Sequence, residues 1–195
     1  MIVPHGYVIK ARFSLRGGRL LALKVIGILL AVLFFIVFTR VTALIHSDFS
    51  LTQFLSRFVS PSMRVILAMG LLFFLWVHGF VHETTHQLCY RIFGNKVNLH
   101  MVLPTPNVTL SVGDVCIRNR AIIATLSPLV ILEILGFIVW PFVTGVFLFL
   151  TIFFLSVNIG IAAGDLATFV WLRRYPPSYY FGFDGRDSVV WGPQS

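Results

Sequence analysis

His82-Glu83-Thr84-Thr85-His86 is the stretch of this chain best suited to chemistry. On a helix, residues four apart share a face. The His82 and His86 imidazoles can then reach one zinc ion while Glu83 stands beside it as a general base. A chain of this composition should contain about 0.002 copies of such an H-E-x-x-H by chance, so coincidence is a poor account of it. Its setting is unusual for a hydrolytic site. The motif lies in an apolar run, Val65 to Phe93, that is long enough to cross a bilayer. Ionisable groups there are costly and mark function more often than packing. The pattern points to cleavage of a bond within or beside a membrane.

Two histidines leave a catalytic zinc site incomplete, because three protein ligands and a water are expected. The other candidates inside apolar runs are His78, Glu133 and Asp165. Depth separates them. At 1.5 Å per residue, His82 and His86 lie roughly 13 and 7 Å from the level of Arg91, and Asp165 lies roughly 12 Å from Arg173. Glu133 lies roughly 20 Å from Arg120, nearer the bilayer centre. Asp165 therefore matches the level of the histidines, as a third ligand or as a hydrogen-bond partner of one of them.

The stretch Asn158 to Asp165 is rich in small residues and contains Gly160-x-x-x-Gly164, so its helix is expected to press closely on the helix of His82. Asn158 lies seven residues before Asp165 on the same face, placed to hydrogen-bond substrate, the attacking water or a developing oxyanion. His78 extends the stripe of histidines by one turn, and hydrogen bonding to a neighbouring helix is at least as good an account of it as ligation. Glu133 is compatible with a protonated carboxyl, a paired one, or a step on a water or substrate path.

The elements that must hold these residues follow from composition. Of 195 residues, 57% are hydrophobic and 11% charged, which excludes an ordinary soluble domain. Four spans are expected: 20–38, 65–93, 121–140 and 142–171. The net charge of +8 is not a nucleic-acid footprint, because most basic residues flank the spans, as topology determinants and lipid contacts do. Lys10, Arg12, Arg16, Arg19 and Lys24 precede or begin the first span, Arg91, Lys96, Arg118 and Arg120 lie between spans two and three, and Arg173 and Arg174 follow span four. Both termini and the middle loop are thus expected in the cytoplasm.

The middle loop alternates apolar and polar residues about a Pro/Asn turn, which predicts a β-hairpin over about 96–117 with a short strand at Val115 to Ile117. The expected fold class is an all-α polytopic membrane protein. It has one embedded core, 1–174, four transmembrane helices, the cytoplasmic hairpin, and a turn-rich cytoplasmic tail, 175–195. Cys89 and Cys116 are expected as free thiols.

Three features taken together resemble the site-2 protease class of intramembrane zinc metallopeptidases, and within it a small zincin peptidase family of bacteria and archaea. They are the H-E-x-x-H on a membrane helix, the β-rich segment followed by Ser127-Pro128, and Asn158 with Gly164-Asp165 about two turns later. The resemblance implies one Zn²⁺ per chain held by His82, His86 and Asp165, water activated by Glu83, and substrate or oxyanion binding assisted by Asn158. It implies a multi-pass protein of a bacterial or archaeal cytoplasmic membrane that hydrolyses a peptide bond of a membrane-spanning substrate.

An exposed hairpin edge at Val97, Leu99, Met101 and Leu103 is expected to pair with the unwound substrate. The partners are then a membrane protein substrate and the lipid bilayer, with the oligomeric state open. A non-catalytic membrane protein with a structural or partner-binding zinc site, or a metal-ion carrier, is the alternative. Neither gives Glu83 an evident use.

Overall fold

The computed structural model describes residues 3–14, 17–46, 50–56, 60–102 and 105–194. Four helices are long and apolar enough to cross a membrane: Gly17–Ile45, Pro61–Ile92, Arg118–Phe142 and Gly145–Leu172. The first is α1, which continues past Arg40. A short α2, Leu51–Ser56, precedes α3, Pro61–Ile92. The third span is α4, Arg118–Val139, closed by a 3₁₀ turn at Trp140–Phe142 where Pro141 cannot continue the helix. The fourth is broken at Ala162 into α5, Gly145–Ile161, and α6, Ala163–Leu172. Leu21, Ile28, Val65, Phe73, Ile134 and Phe147 are among the many large apolar side chains that face outward, a surface suited to lipid rather than water.

Both ends of α3, which carries the histidines, are well specified. Ser60 caps its start by accepting the Met63 N–H, with Pro61 in the first turn where a missing N–H costs nothing. At its end Gly94 takes the left-handed conformation (φ +78°), its N–H meets Arg91 O, and the Asn95 N–H meets Tyr90 O. That closing pattern turns the chain sharply into the middle loop.

The loop forms strands β2, Val97–Val102, and β3, Thr105–Leu110, paired antiparallel with Leu99 opposite Val108. Asp114 ties the base of this pair together by accepting the Lys96 N–H and the Asn95 amide. Burial alone would raise the Asp114 carboxyl, but the hydrogen bonds it accepts outweigh that and hold it below the usual range. β4, Val115–Ile117, leaves the hairpin and pairs with β5, Tyr180–Phe183.

β5 pairs with β6, Ser188–Pro193, and β6 with β1, Tyr7–Phe13, giving a four-stranded sheet of order β1-β6-β5-β4. The two ends of the chain are therefore sheet neighbours, also joined by an ion pair between Arg12 and Asp184. The sequence reading assigned no strand to either end. Their alternation is short, and what stabilises each strand is a partner from the far end of the chain.

The sheet covers one end of the helix bundle, where Tyr90, Cys116, Ala124, Leu172, Phe181 and Val190 form a core. Cys89 and Cys116 are free, and burial pushes the Cys116 thiol up to about 12, so it stays protonated and inert. A second core of Phe38, Trp140, Leu148, Ile152 and Leu155 closes the opposite end.

Between the two cores, α1 lies directly on α5. A Cβ at Gly27 would fall 2.4 Å from Gly160 O, and one at Gly160 would fall 2.6 Å from Gly27 O. The small-residue stripe of the fourth span thus packs on α1 through Gly160, while Asn158 and Asp165 at its ends meet the helix of the histidines. Gly27→Ala must push the two helices apart. It should lower stability by about 1–3 kcal/mol, read as a lower melting midpoint in detergent. Gly70→Ala, with nothing within 4 Å of the added carbon, should leave that midpoint unchanged or slightly raised.

Candidate metal centre

His82 and His86 occupy the inward face of α3 and are both buried. Asp165, in the first turn of α6, reaches them from the fourth span. His82 Nε2 lies 3.0 Å from Asp165 Oδ2, and His86 Nε2 lies 3.3 Å from Asp165 Oδ1. One ligand atom from each of the three residues falls within 4.8 Å of the others. Two imidazoles and a carboxylate converging in this way are the donor set of a catalytic zinc site with one position left for water or substrate.

The outer nitrogens decide whether these donors suit a metal. A histidine ligand must carry its proton on the nitrogen turned away from the ion. His86 Nδ1 lies 2.8 Å from the carbonyl oxygen of Ala124. A carbonyl only accepts, so Nδ1 bears the proton and Nε2 is left for coordination. That carbonyl is available for a local reason. Pro128 has no N–H to give to the residue four before it, which is Ala124. The freed oxygen takes the His86 proton and the Ser127 hydroxyl instead. Pro128 therefore stays within α4 and acts through the acceptor it releases.

His82 is oriented differently. Its Nδ1 lies 3.2 Å from Asn158 Oδ1. The Asn158 amide nitrogen donates to Glu133 Oε1 at 3.0 Å and to Pro128 O at 3.4 Å. Asn158 is fully buried and is not part of the cavity wall beside His82, His86 and Asp165. Both ends of its amide are occupied, so it orients His82 here instead of presenting a donor to the cavity. The three residues converge as the donor set requires, and Glu133, which the depth argument set apart from the ligands, reaches the centre through Asn158.

Glu83 lines a cavity of about 980 Å³ together with His82, His86 and Asp165. Its Oε2 accepts the Val108 N–H at 2.9 Å. The strand facing the cavity is accordingly β3, through Asn107 to Leu110. Val97 and Leu99 of β2 do not line it; the Met101 side chain and Leu103 lie outside the described residues. Period-two alternation marks both strands of a hairpin alike, so it could not say which one faces the site. His78 is buried against Phe74 and Phe154, beside the Asn158 side chain, and it stands apart from the three ligand atoms.

A family model described as "Putative zincin peptidase" matches residues 75–180, more than half of the chain. The matched stretch includes the H-E-x-x-H, the hairpin, Pro128, Asn158 and Asp165. Zincins are zinc peptidases, so the family and the donor set agree on the metal. No curated protein and no solved structure matches.

Asp165→Ala should strip most of the zinc from the purified protein, as measured by metal analysis. Pro128→Ala restores an N–H that competes with His86 for the Ala124 carbonyl. It should weaken zinc binding about tenfold in a chelator competition titration while leaving the helical content unchanged.

Proposed function

We propose that this chain, which belongs to the family of zincin peptidases, is a zinc-dependent intramembrane endopeptidase that hydrolyses a peptide bond of a membrane-spanning substrate near the cytoplasmic face. One observation carries the reading: a two-histidine, one-aspartate donor set and a glutamate share a cavity inside a bundle whose outer surface is apolar. A resident structural zinc, or a carried metal ion, would leave Glu83 only the Val108 N–H to accept and would give its other oxygen at the cavity wall no use.

His82, His86 and Asp165 would hold one zinc, which when bound supplies Lewis acidity toward water and the scissile carbonyl. Glu83 takes a proton from the attacking water on its carboxylate and returns it to the leaving amine nitrogen. Its Oε2 already accepts the Val108 N–H, so Oε1 is the oxygen open to that proton. The walls of α1 and α3 supply Leu20, Leu23, Leu72 and Leu75 to the same cavity, which suits an apolar substrate segment and limits bulk water.

Orientation rests on charge. Arg91, Lys96, Arg118, Arg120, Arg173 and Arg174 cluster at the sheet-covered end of the bundle, which supports a cytoplasmic placement of that end, of the hairpin and of both chain ends. Residues 1–174 form the embedded core in this reading, and 175–195 fold back onto it as strands. A substrate helix must unwind to be cut, and its freed backbone groups need partners in a medium without water. Strand addition to the hairpin answers that need. The edge proposed for it is β3, which faces the cavity, in place of the Val97-to-Leu103 edge expected from sequence.

Reconstituted in vesicles with a membrane-spanning reporter, Glu83→Gln should keep its zinc and lose cleavage by about a hundredfold or more. Undiminished cleavage in that variant would overturn the mechanism. Removal of the metal by a chelator should stop cleavage in the wild type, and added zinc should restore it.

A further inference from the structure

A carboxyl deep in an apolar span is costly unless it does something that offsets the cost. Glu133 is such a group, on α4. Its Oε1 meets the Asn158 amide nitrogen at 3.0 Å, and its Oε2 is buried with no hydrogen-bond partner among the described residues. Glu133 is therefore tied to the rest of the molecule through Asn158, and Asn158 touches a candidate zinc ligand.

The amide of Asn158 can sit in two ways, related by exchanging its oxygen and nitrogen. In one, the oxygen faces His82 Nδ1 and accepts its proton, and Nε2 is left bare for the metal. In the other, the NH₂ group faces His82 Nδ1, which must then give up its proton to Nε2, the nitrogen that zinc needs. The surroundings choose between them. Pro128 O and Glu133 Oε1 both lie on the nitrogen side, at 3.4 and 3.0 Å. Both accept: Pro128 O is a carbonyl oxygen, and Glu133 Oε1 accepts as a carboxylate oxygen or, in the neutral acid, as the carbonyl oxygen with the proton on Oε2. Exchanging the amide would set oxygen against oxygen at two points and a donor against a donor at His82. Pro128 O is the more distant of the two acceptors, so Glu133 supplies most of the preference.

We propose that Glu133 is a positioning residue for the metal centre: it fixes the Asn158 amide with its oxygen toward His82 and thereby keeps His82 Nε2 free to bind zinc. This rests on the zinc reading above. It explains why a carboxyl too far from the histidines to ligate is retained inside the span. It also explains why the residue at 158 is an amide, since an amide meets an acceptor on one side and a donor on the other.

The test is zinc affinity by competition with a chromophoric chelator, together with the visible spectrum of the cobalt(II)-loaded protein, in detergent and with circular dichroism as the folding control. Glu133→Leu should bind zinc about 10- to 100-fold more weakly and shift the cobalt spectrum. Glu133→Gln, which keeps an acceptor oxygen, should bind close to wild type. Asn158→Asp adds the discriminating arm, because a carboxylate accepts from His82 with either oxygen and has no orientation to be chosen. In the Asn158→Asp background, Glu133→Leu should therefore cost little further affinity. Wild-type affinity in Glu133→Leu alone would overturn the proposal, and so would an undiminished loss from Glu133→Leu in the Asn158→Asp background. Wild-type protein that binds no zinc would instead remove the metal reading itself, and the positioning role with it.

Discussion

An imidazole that binds a metal with one nitrogen must lodge a proton on the other, and inside a membrane no bulk water is present to hold that proton in place. The rest of this structure can be read as the answer to that constraint. Two acceptors are needed behind the histidines of α3. One is a backbone carbonyl on α4, at Ala124, released by the absence of an N–H on Pro128. The other is the Asn158 oxygen on α5. Both helices must then sit against α3, and the pairing of Gly27 with Gly160 lets α1 close over α5 from the outside. These two hydrogen bonds would matter little in water and are hard to replace in lipid.

The fourth span shows how one helix serves both sides of a ring. Asn158 and Asp165 are seven residues apart, about 10 Å of rise on an unbroken helix. Yet Asn158 meets His82 at Nδ1 and Asp165 meets it at Nε2, positions on a single imidazole. The break at Ala162 lies between them, ending α5 and restarting the chain as α6 with Asp165 in its first turn. Broken backbone is tolerated at this depth where it is enclosed by protein, as it is at the fully buried Ala162.

Much of this was legible in the chain, for reasons that can be named. The H-E-x-x-H and the apolar runs are local patterns, and four helices of spanning length follow from them. Asp165 could be matched to the histidines by depth because helical rise is constant. What was not legible depends on partners. Gly160 was visible as a close-packing residue, but its partner could not be read, and it meets Gly27 of the first span. The terminal strands pair Tyr7 with Pro193 across nearly the whole chain, a contact no local pattern encodes. The role of Pro128 was hidden because a proline in a helix is ordinarily read as a kink. What the proline contributes is the carbonyl it leaves unpaired, at Ala124, which the His86 ring comes to use.

The hairpin is held by the same need to satisfy backbone groups. An edge strand at the lip of a membrane cavity presents backbone donors that nearby water cannot be relied on to satisfy. Val108 solves this by giving its N–H to Glu83, which reaches it from α3. The contact serves both partners, since it satisfies one donor of the strand edge and holds the carboxylate at the cavity wall beside the two histidines. It also explains why the hairpin is built against the helix of the two histidines instead of standing clear of it. An edge that pairs only with its hairpin partner could lie anywhere on the surface, whereas one that needs the carboxylate of residue 83 must lie over the site.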